Sequence, residues 1–157
     1  MDVRPAREEE LDQLATLWHD SWQAAHAQIV PAELTHFRTL ESFRQRLQAA
    51  LPAIRVVGPV GFPIGFCIVK GDELYQLFVL AESRGTGVAA ALIADAESRL
   101  ATSGVEIAWL ACAIGNDRAA RFYEKRGWRR VGIMANQLET PNGTFSLDVW
   151  RYEKPLT

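Results

Sequence analysis

Apolar residues recur at helical spacing over Leu11, Leu14, Ala15, Leu17 and Trp18, so Glu8 to Ser21 reads as a helix with one buried face. The acidic side chains at positions 8, 9 and 10 suit the positive N-terminus of that helix. A short strand, Val3 to Ala6, precedes it. A second stripe, Phe37, Leu40, Phe43 and Leu47, predicts another helix from about Pro31 to Ala50, separated by Pro31 from the segment before. Then the pattern changes. Ile54 to Val57, Ile64 to Val69 and residues 73–80 read as strands, punctuated by G-P-V-G-F-P and by Gly71-Asp72.

Residues 88–102 form an alanine-rich amphipathic helix stopped by Ser103-Gly104. Val105 to Ala111 is a further strand. Asp117 to Arg126 is a helix with Gly127 just past its end. Val131 to Leu138 and Thr144 to Tyr152 alternate on either side of T-P-N-G, a hairpin with an Asn142-Gly143 turn signal. The order is strand, two helices, three strands, helix, strand, helix, two strands. Hairpins mixed with βαβ crossovers imply an α/β fold, a mixed sheet covered by helices. The length suits one domain, 1–157, with one sizeable core.

Composition narrows the function. With 17 basic and 19 acidic residues the net charge is −2, which argues against a nucleic-acid partner. The exception is local: Arg118, Arg121, Lys125, Arg126, Arg129 and Arg130 crowd one stretch. They read either as a solvated helix face and loop or as contacts to a phosphorylated cofactor. No apolar run reaches the length of a membrane span and no signal segment opens the chain, so no membrane partner is expected. Cys67 and Cys112 lie in apolar strand-like runs without metal-like spacing. Buried reduced thiols are expected, and with them a cytoplasmic location. His19 and His26 lack a third ligand nearby, so no metal is expected.

The chemistry concentrates at Arg84-Gly85-Thr86-Gly87-Val88-Ala89, between a strand and a helix. Gly85 and Gly87 lack a Cβ, so the backbone can approach a phosphate closely, and the helix start adds partial positive charge. Gly85 to Ala90 also fits the dinucleotide fingerprint. That reading wants a carboxylate at the end of the next strand, where the chain has Leu110-Ala111-Cys112-Ala113. No Gly-Lys-Ser/Thr follows, so a Walker-type loop fits less well still.

The segment from Arg84 to Ala89 resembles the pyrophosphate loop Arg/Gln-x-x-Gly-x-Gly/Ala of the GNAT superfamily of acyl-CoA-dependent N-acetyltransferases. A second block of that family is matched by Asn116, Ala119, Phe122, Tyr123, Lys125, Gly127 and Trp128. The element order is similar over nearly the full chain. The resemblance implies a mostly antiparallel sheet of about seven strands, splayed between strands 4 and 5, with acetyl-CoA in the gap.

By the same resemblance, backbone groups of Phe78 and Val79 pair with the pantetheine arm. The N–H groups of Arg84, Gly85, Thr86, Gly87, Val88 and Ala89 hold the pyrophosphate, leaving the side chains of Thr86 and Val88 free to vary. Tyr123 protonates the leaving thiolate, and Asn116 both caps its helix and contacts the CoA arm. Glu73 is the leading base, and strand alternation places it on one face with Tyr75, Leu77 and Val79. Trp22, His26, Ile29 and Tyr75, with hairpin residues such as Asn136, are expected to wall the pocket of the amine acceptor. Direct attack in a ternary complex is expected, with Cys112 the only thiol near the splay. A non-catalytic acyl-CoA sensor on the same fold is the alternative, disfavoured by the intact Tyr123. Homodimer pairing through an exposed Trp150 or the hairpin is expected by analogy.

Overall fold

A computed structural model describes all 157 residues. In chain order the elements are β1 (Val3–Pro5), α1 (Leu11–His26), α2 (Ala32–Phe37), α3 (Leu40–Ala50), β2 (Ile54–Val57), β3 (Gly65–Lys70), β4 (Glu73–Val79), α4 (Val88–Thr102), β5 (Ile107–Ala113), α5 (Asp117–Lys125), β6 (Arg129–Thr140) and β7 (Gly143–Pro155). The strands form one sheet in the order β1-β2-β3-β4-β5-β7-β6, antiparallel throughout except for the β4–β5 pair. This is the mixed sheet that the pattern predicts, and it is mostly antiparallel and seven-stranded as the resemblance implies.

Each face of the sheet carries its own core. On one, α1 and α3 bury Leu14, Trp18, Phe43 and Leu47 against Phe66 and Ile68. Trp18 stands 4.8 Å from Phe43 and 5.6 Å from Phe66, ring centre to ring centre. On the other, Val88, Leu92 and Ala96 of α4 meet Cys67, Leu110 and Tyr152. Apolar burial of this kind is the main stabilising term for such a domain. Both cysteines are free and buried, as expected. No helix is long and apolar enough to cross a membrane.

Several local expectations change. Glu10 is not a solvated dipole partner but a fully buried joint. Its carboxylate accepts hydrogen bonds from Arg4 at 2.8 and 2.7 Å, from the Arg7 N–H at 3.0 Å and from the Gly61 N–H at 3.1 Å. The Arg4 hydrogen bond holds it down to about 2. Helix α1 continues past Ser21 to His26, because Trp22 to His26 contain no breaker. The expected helix over 31–50 is two helices. Arg38 leaves the helical region, and the Thr39 hydroxyl caps α3 by accepting from the Ser42 N–H at 3.1 Å. Leu40 is consequently exposed, and Leu34 and Arg38 are the residues turned inward. The hairpin is longer than its pattern. Its last pair is Thr140 with Gly143, so Pro141-Asn142 forms the two-residue link in place of Asn142-Gly143.

A bulge alters β4. Gln76 pairs with Ile68 and Leu74 with Val69, leaving Tyr75 as an extra residue between them. Side chains after it therefore change face. Leu74, Leu77 and Val79 pack toward α4, whereas Tyr75 and Phe78 pack toward α1 and α3. Glu73 shares a cavity with Tyr75 and Gln76, so the expected common face of Glu73, Tyr75, Leu77 and Val79 does not exist.

Candidate functional site

Strands β4 and β5 meet at one ladder position, Glu73 opposite Trp109. The junction is clamped from the side. The Trp109 backbone N–H donates to the Asp72 carbonyl at 3.1 Å, and its indole N–H donates to the Asp72 carboxylate at 2.9 Å. Beyond this clamp the strands diverge, and a cleft of about 690 Å³ opens between them. Leu77, Phe78 and Val79 line one wall, and Asn116, Ala119, Phe122 and Tyr123 the other.

One end of the cleft is the glycine turn. Gly85 and Gly87 adopt φ of +78° and +92°, and Gly87 sits directly before α4. A residue with a Cβ at Gly87 is strained in that conformation. Arg84, Gly85, Gly87 and Ala89 line the cleft, as do Arg118, Lys125 and Arg126 from α5 and its end. Desolvation, and then the nearby Arg118, lowers the pKa of Arg84, opposed by Glu82. The basic stretch read from the sequence thus divides. Arg118, Lys125 and Arg126 face the cleft, whereas Arg130 stacks 3.7 Å over the Trp150 ring. Trp150, expected to be exposed, is half-covered. Thr86 and Val88 do not line the cleft. Val88 is 1% exposed and sits where a Cβ on Gly65 would meet it at 2.7 Å, so its side chain is a core residue and is not free to vary.

Helix α5 presents Tyr123. Asn116 caps the helix, accepting from the Ala119 N–H at 3.4 Å. Burial pushes the Tyr123 phenol above its ordinary value. Its ring lies 6.4 Å from Trp128 and 6.3 Å from Tyr152, and no protein group hydrogen-bonds its hydroxyl. Burial likewise pushes the Cys112 thiol up to about 12.

Between the cleft and the other face of the sheet lies a small cavity of about 80 Å³, which shares Leu77, Phe78 and Tyr123 with the cleft and is also lined by Cys112, His26 and Tyr75. On the far side lies a cavity of about 100 Å³ beneath the β6–β7 hairpin. Trp22, His26, Glu73, Tyr75 and Asn136 line it, bringing together most of the residues expected there. Ile29 is absent from it. That side chain packs on Gly115, at 3.3 Å from where a Cβ would stand, beside the start of α5. Burial raises Glu73 to about 7, opposed by Lys70. Burial lowers His26 to about 4, so its imidazole is neutral at ordinary pH.

Sequence reasoning missed Arg38 and Arg46, which also line this cavity. Arg46 follows Phe43 by three positions and precedes Leu47 by one, so it lies beside the buried stripe. Only the T-L-E-S cap signal at Thr39 pointed to the break that turns Arg38 inward.

The Acetyltransferase (GNAT) family model matches residues 11–128. An uncharacterized N-acetyltransferase of Mycobacterium bovis is 34% identical over 116 residues, which is 71% of this chain and 72% of the relative. The peptidyl-lysine N-acetyltransferase YjaB of Escherichia coli is 29% identical over 136 residues, 84% of each chain. Among solved structures, a GCN5-related N-acetyltransferase from Rhodopseudomonas palustris has a TM-score of 0.75 and 22% identity, over 98% of this chain and 94% of that one.

Proposed function

The chain belongs to the GNAT acetyltransferase family, and on that premise we propose how its own residues move acetyl from acetyl-CoA to an amine. The observation that carries the reading is the single Glu73–Trp109 bridge followed by an open cleft with the glycine turn at one end. Acetyl-CoA lies in this cleft. Its pyrophosphate rests on the N–H groups between Arg84 and Ala89, with Arg84, Arg118, Lys125 and Arg126 neutralising charge. The pantetheine arm follows the edge of β4 at Phe78 and Val79, which β5 leaves unpaired, and passes Asn116. Its thioester reaches the small cavity beside Tyr123. The crowded cations and the turn fit a polyphosphate group.

The amine enters from the opposite side, through the cavity lined by Glu73. Glu73 takes the proton that the ammonium must lose, directly or through water. The nitrogen lone pair attacks the thioester carbonyl and a tetrahedral intermediate forms. Its collapse breaks the C–S bond. The nitrogen of the intermediate sheds a second proton to solvent as the amide forms, and Glu73 passes the first one on to solvent. Tyr123 donates its hydroxyl hydrogen to the leaving sulfur and is reprotonated from solvent, so that one proton is released net. The products are the N-acetyl amine and CoA thiol.

Burial modifies the role of Tyr123. A phenol raised further above a thiol is a weaker acid, so its first contribution is a hydrogen bond to the developing thiolate, and full transfer follows. The raised Cys112 thiol is poorly suited to form an acyl-enzyme, which supports direct attack.

Isothermal titration with acetyl-CoA and with NAD, followed by CoA release across an amine panel, tests the reading. Acetyl-CoA binding together with amine-dependent CoA release is expected. NAD binding alone would return Gly85 to Ala90 to the dinucleotide reading.

A further inference from the structure

The cavity opposite the cleft has two electrically different ends. Glu73 sits at the β4–β5 junction, and the charges acting on it are Lys70, Asp72 and Arg151. Arg38 and Arg46 line the same cavity but are not among them. No carboxylate lies within ion-pair distance of either guanidinium, although nine such pairs exist elsewhere in the chain. Glu139 accepts from Arg38 through its backbone carbonyl, while its carboxylate lies 3.8 Å from Lys70 and acts on Arg38 only as a weaker, longer-range charge.

Arg38 is 3% exposed and makes one hydrogen bond, donating to the Glu139 carbonyl at 2.6 Å. Arg46 also makes one, donating to the Tyr75 hydroxyl at 2.8 Å. Its Nε is buried without a partner. A guanidinium carries five N–H donors in a planar fork, so most of this donor capacity is unspent. Trp18 offsets part of the Arg46 charge, its ring lying 4.3 Å from the guanidinium carbon. The other cavity groups do not neutralise the pair, for His26 is uncharged at ordinary pH and Asn136 and Gln76 carry no charge. Burial, and then the Arg46 charge, pulls Arg38 down to about 10. Arg38 is thus buried and Arg46 half-buried with its Nε enclosed, two like charges with few protein partners, a pairing that an anion between them would relieve.

We propose that this cavity admits a small-molecule amine whose own structure carries a carboxylate or phosphate, held by Arg38 and Arg46 while its amine faces Glu73 and the small cavity beside Tyr123. The proposal rests on the acetyltransferase reading and names its acceptor class. Carboxylate and phosphate present the same chemistry to a guanidinium fork. The volume of about 100 Å³, roofed by Leu138 and Leu147, suits a compact acceptor. The loop before Thr39 supplies Arg38 and α3 supplies Arg46, so the break between α2 and α3 assembles the anion site.

Matched acceptors decide it: 5-aminopentanoate against pentylamine, 2-aminoethyl phosphate against propylamine, cadaverine, and a lysine peptide of no other charge. Each is titrated into CoA-loaded protein and assayed with acetyl-CoA. At least one anionic member is expected to bind and to exceed its neutral match in kcat/KM by roughly thirtyfold or more, and the two anionic series show which anion fits. Arg46→Gln and Arg38→Gln should remove most of that preference while acetyl-CoA affinity holds. Arg46→Lys, which keeps charge but loses the fork, should keep part of it. Equal or better use of pentylamine, cadaverine or the lysine peptide overturns the proposal. So does a preference that survives both glutamine variants, or failure of every anionic amine to bind. If acetyl-CoA binds and neutral amines turn over, the acetyltransferase reading stands without this acceptor class. Absence of acetyl-CoA binding removes both.

Discussion

Tyr152 and Glu124 tie β7 to α5: the buried Tyr152 hydroxyl donates to the Glu124 carboxylate at 2.6 Å. Arg130 donates to the Tyr152 hydroxyl oxygen at 3.1 and 3.0 Å. Glu124 is the neighbour of Tyr123, and the Tyr152 ring lies 6.3 Å from that of Tyr123. Strand β7 thus sets where α5, and with it the proposed acid, stands.

Tyr152→Phe should therefore act as a positioning change. It removes a buried hydroxyl with three hydrogen bonds to two partners, Glu124 and Arg130, and should cost about 1–2 kcal/mol of stability. Chemical denaturation measures that loss. Steady-state kinetics should show kcat falling severalfold with little change in acetyl-CoA affinity. A fall in affinity equal to the fall in kcat would place the effect on the whole cleft instead.

Tyr123→Phe keeps the ring packing against Trp128 and removes only the donor. Turnover should fall by about ten- to a thousandfold, the usual range for an acid–base group. Acetyl-CoA affinity, read by isothermal titration, should stay near the wild-type value. Wild-type turnover in this variant would remove Tyr123 from the chemistry.

The pH profile should report Glu73. As a base it must be ionised, so kcat/KM should rise as pH increases through about 7. The acceptor ammonium adds a second rise at higher pH. Glu73→Gln should lose the first limb and retain the second. Stability runs the other way. The folded carboxyl keeps its proton between 4.5 and about 7, where the unfolded one gives it up. Stability is thus lost as pH rises across that window and levels off above it. Thermal melts of wild type and Glu73→Gln across pH 4 to pH 9 would show whether the slope belongs to this group.

Gly87→Val forces a branched side chain into φ near +92° at the start of α4. The strain is about 1–2 kcal/mol, and relief of it turns backbone donors away from the cleft. Acetyl-CoA affinity should drop by roughly tenfold or more, on the scale of a lost charge-assisted contact. Unchanged affinity would argue against the turn as the pyrophosphate cradle.

The sequence was informative wherever one local rule acted alone. The helix at 88–102 has its observed bounds because a glycine turn starts it and Ser103-Gly104 ends it. Asn116 caps α5 as its position suggests. The splay between strands 4 and 5 is legible through the family resemblance that the two motifs carry, whereas the order of strands across the sheet is not. The amine side was less legible because its residues act against their type. Arginine usually marks a solvated face, yet Arg38 is buried by a helix break and Arg46 lies over Trp18. The alternation rule failed at β4 because a bulge leaves no signature in single-residue propensities. Ile29 was grouped with His26 by proximity along the chain, but the turn after α1 carries it to Gly115.

The extra residue at Tyr75 has a bearing on how such an enzyme can diverge. It splits one strand into two sets of side chains with separate duties. Leu74, Leu77 and Val79 pack in the layer that carries α4, whereas Glu73, Tyr75 and Gln76 line the cavity proposed for the acceptor and Phe78 packs toward α1 and α3. Exchanging the second set need not disturb the first. On the proposed acceptor site, choice of amine can therefore be re-engineered on this strand like a replaceable cassette, and loss of that single residue would break the separation.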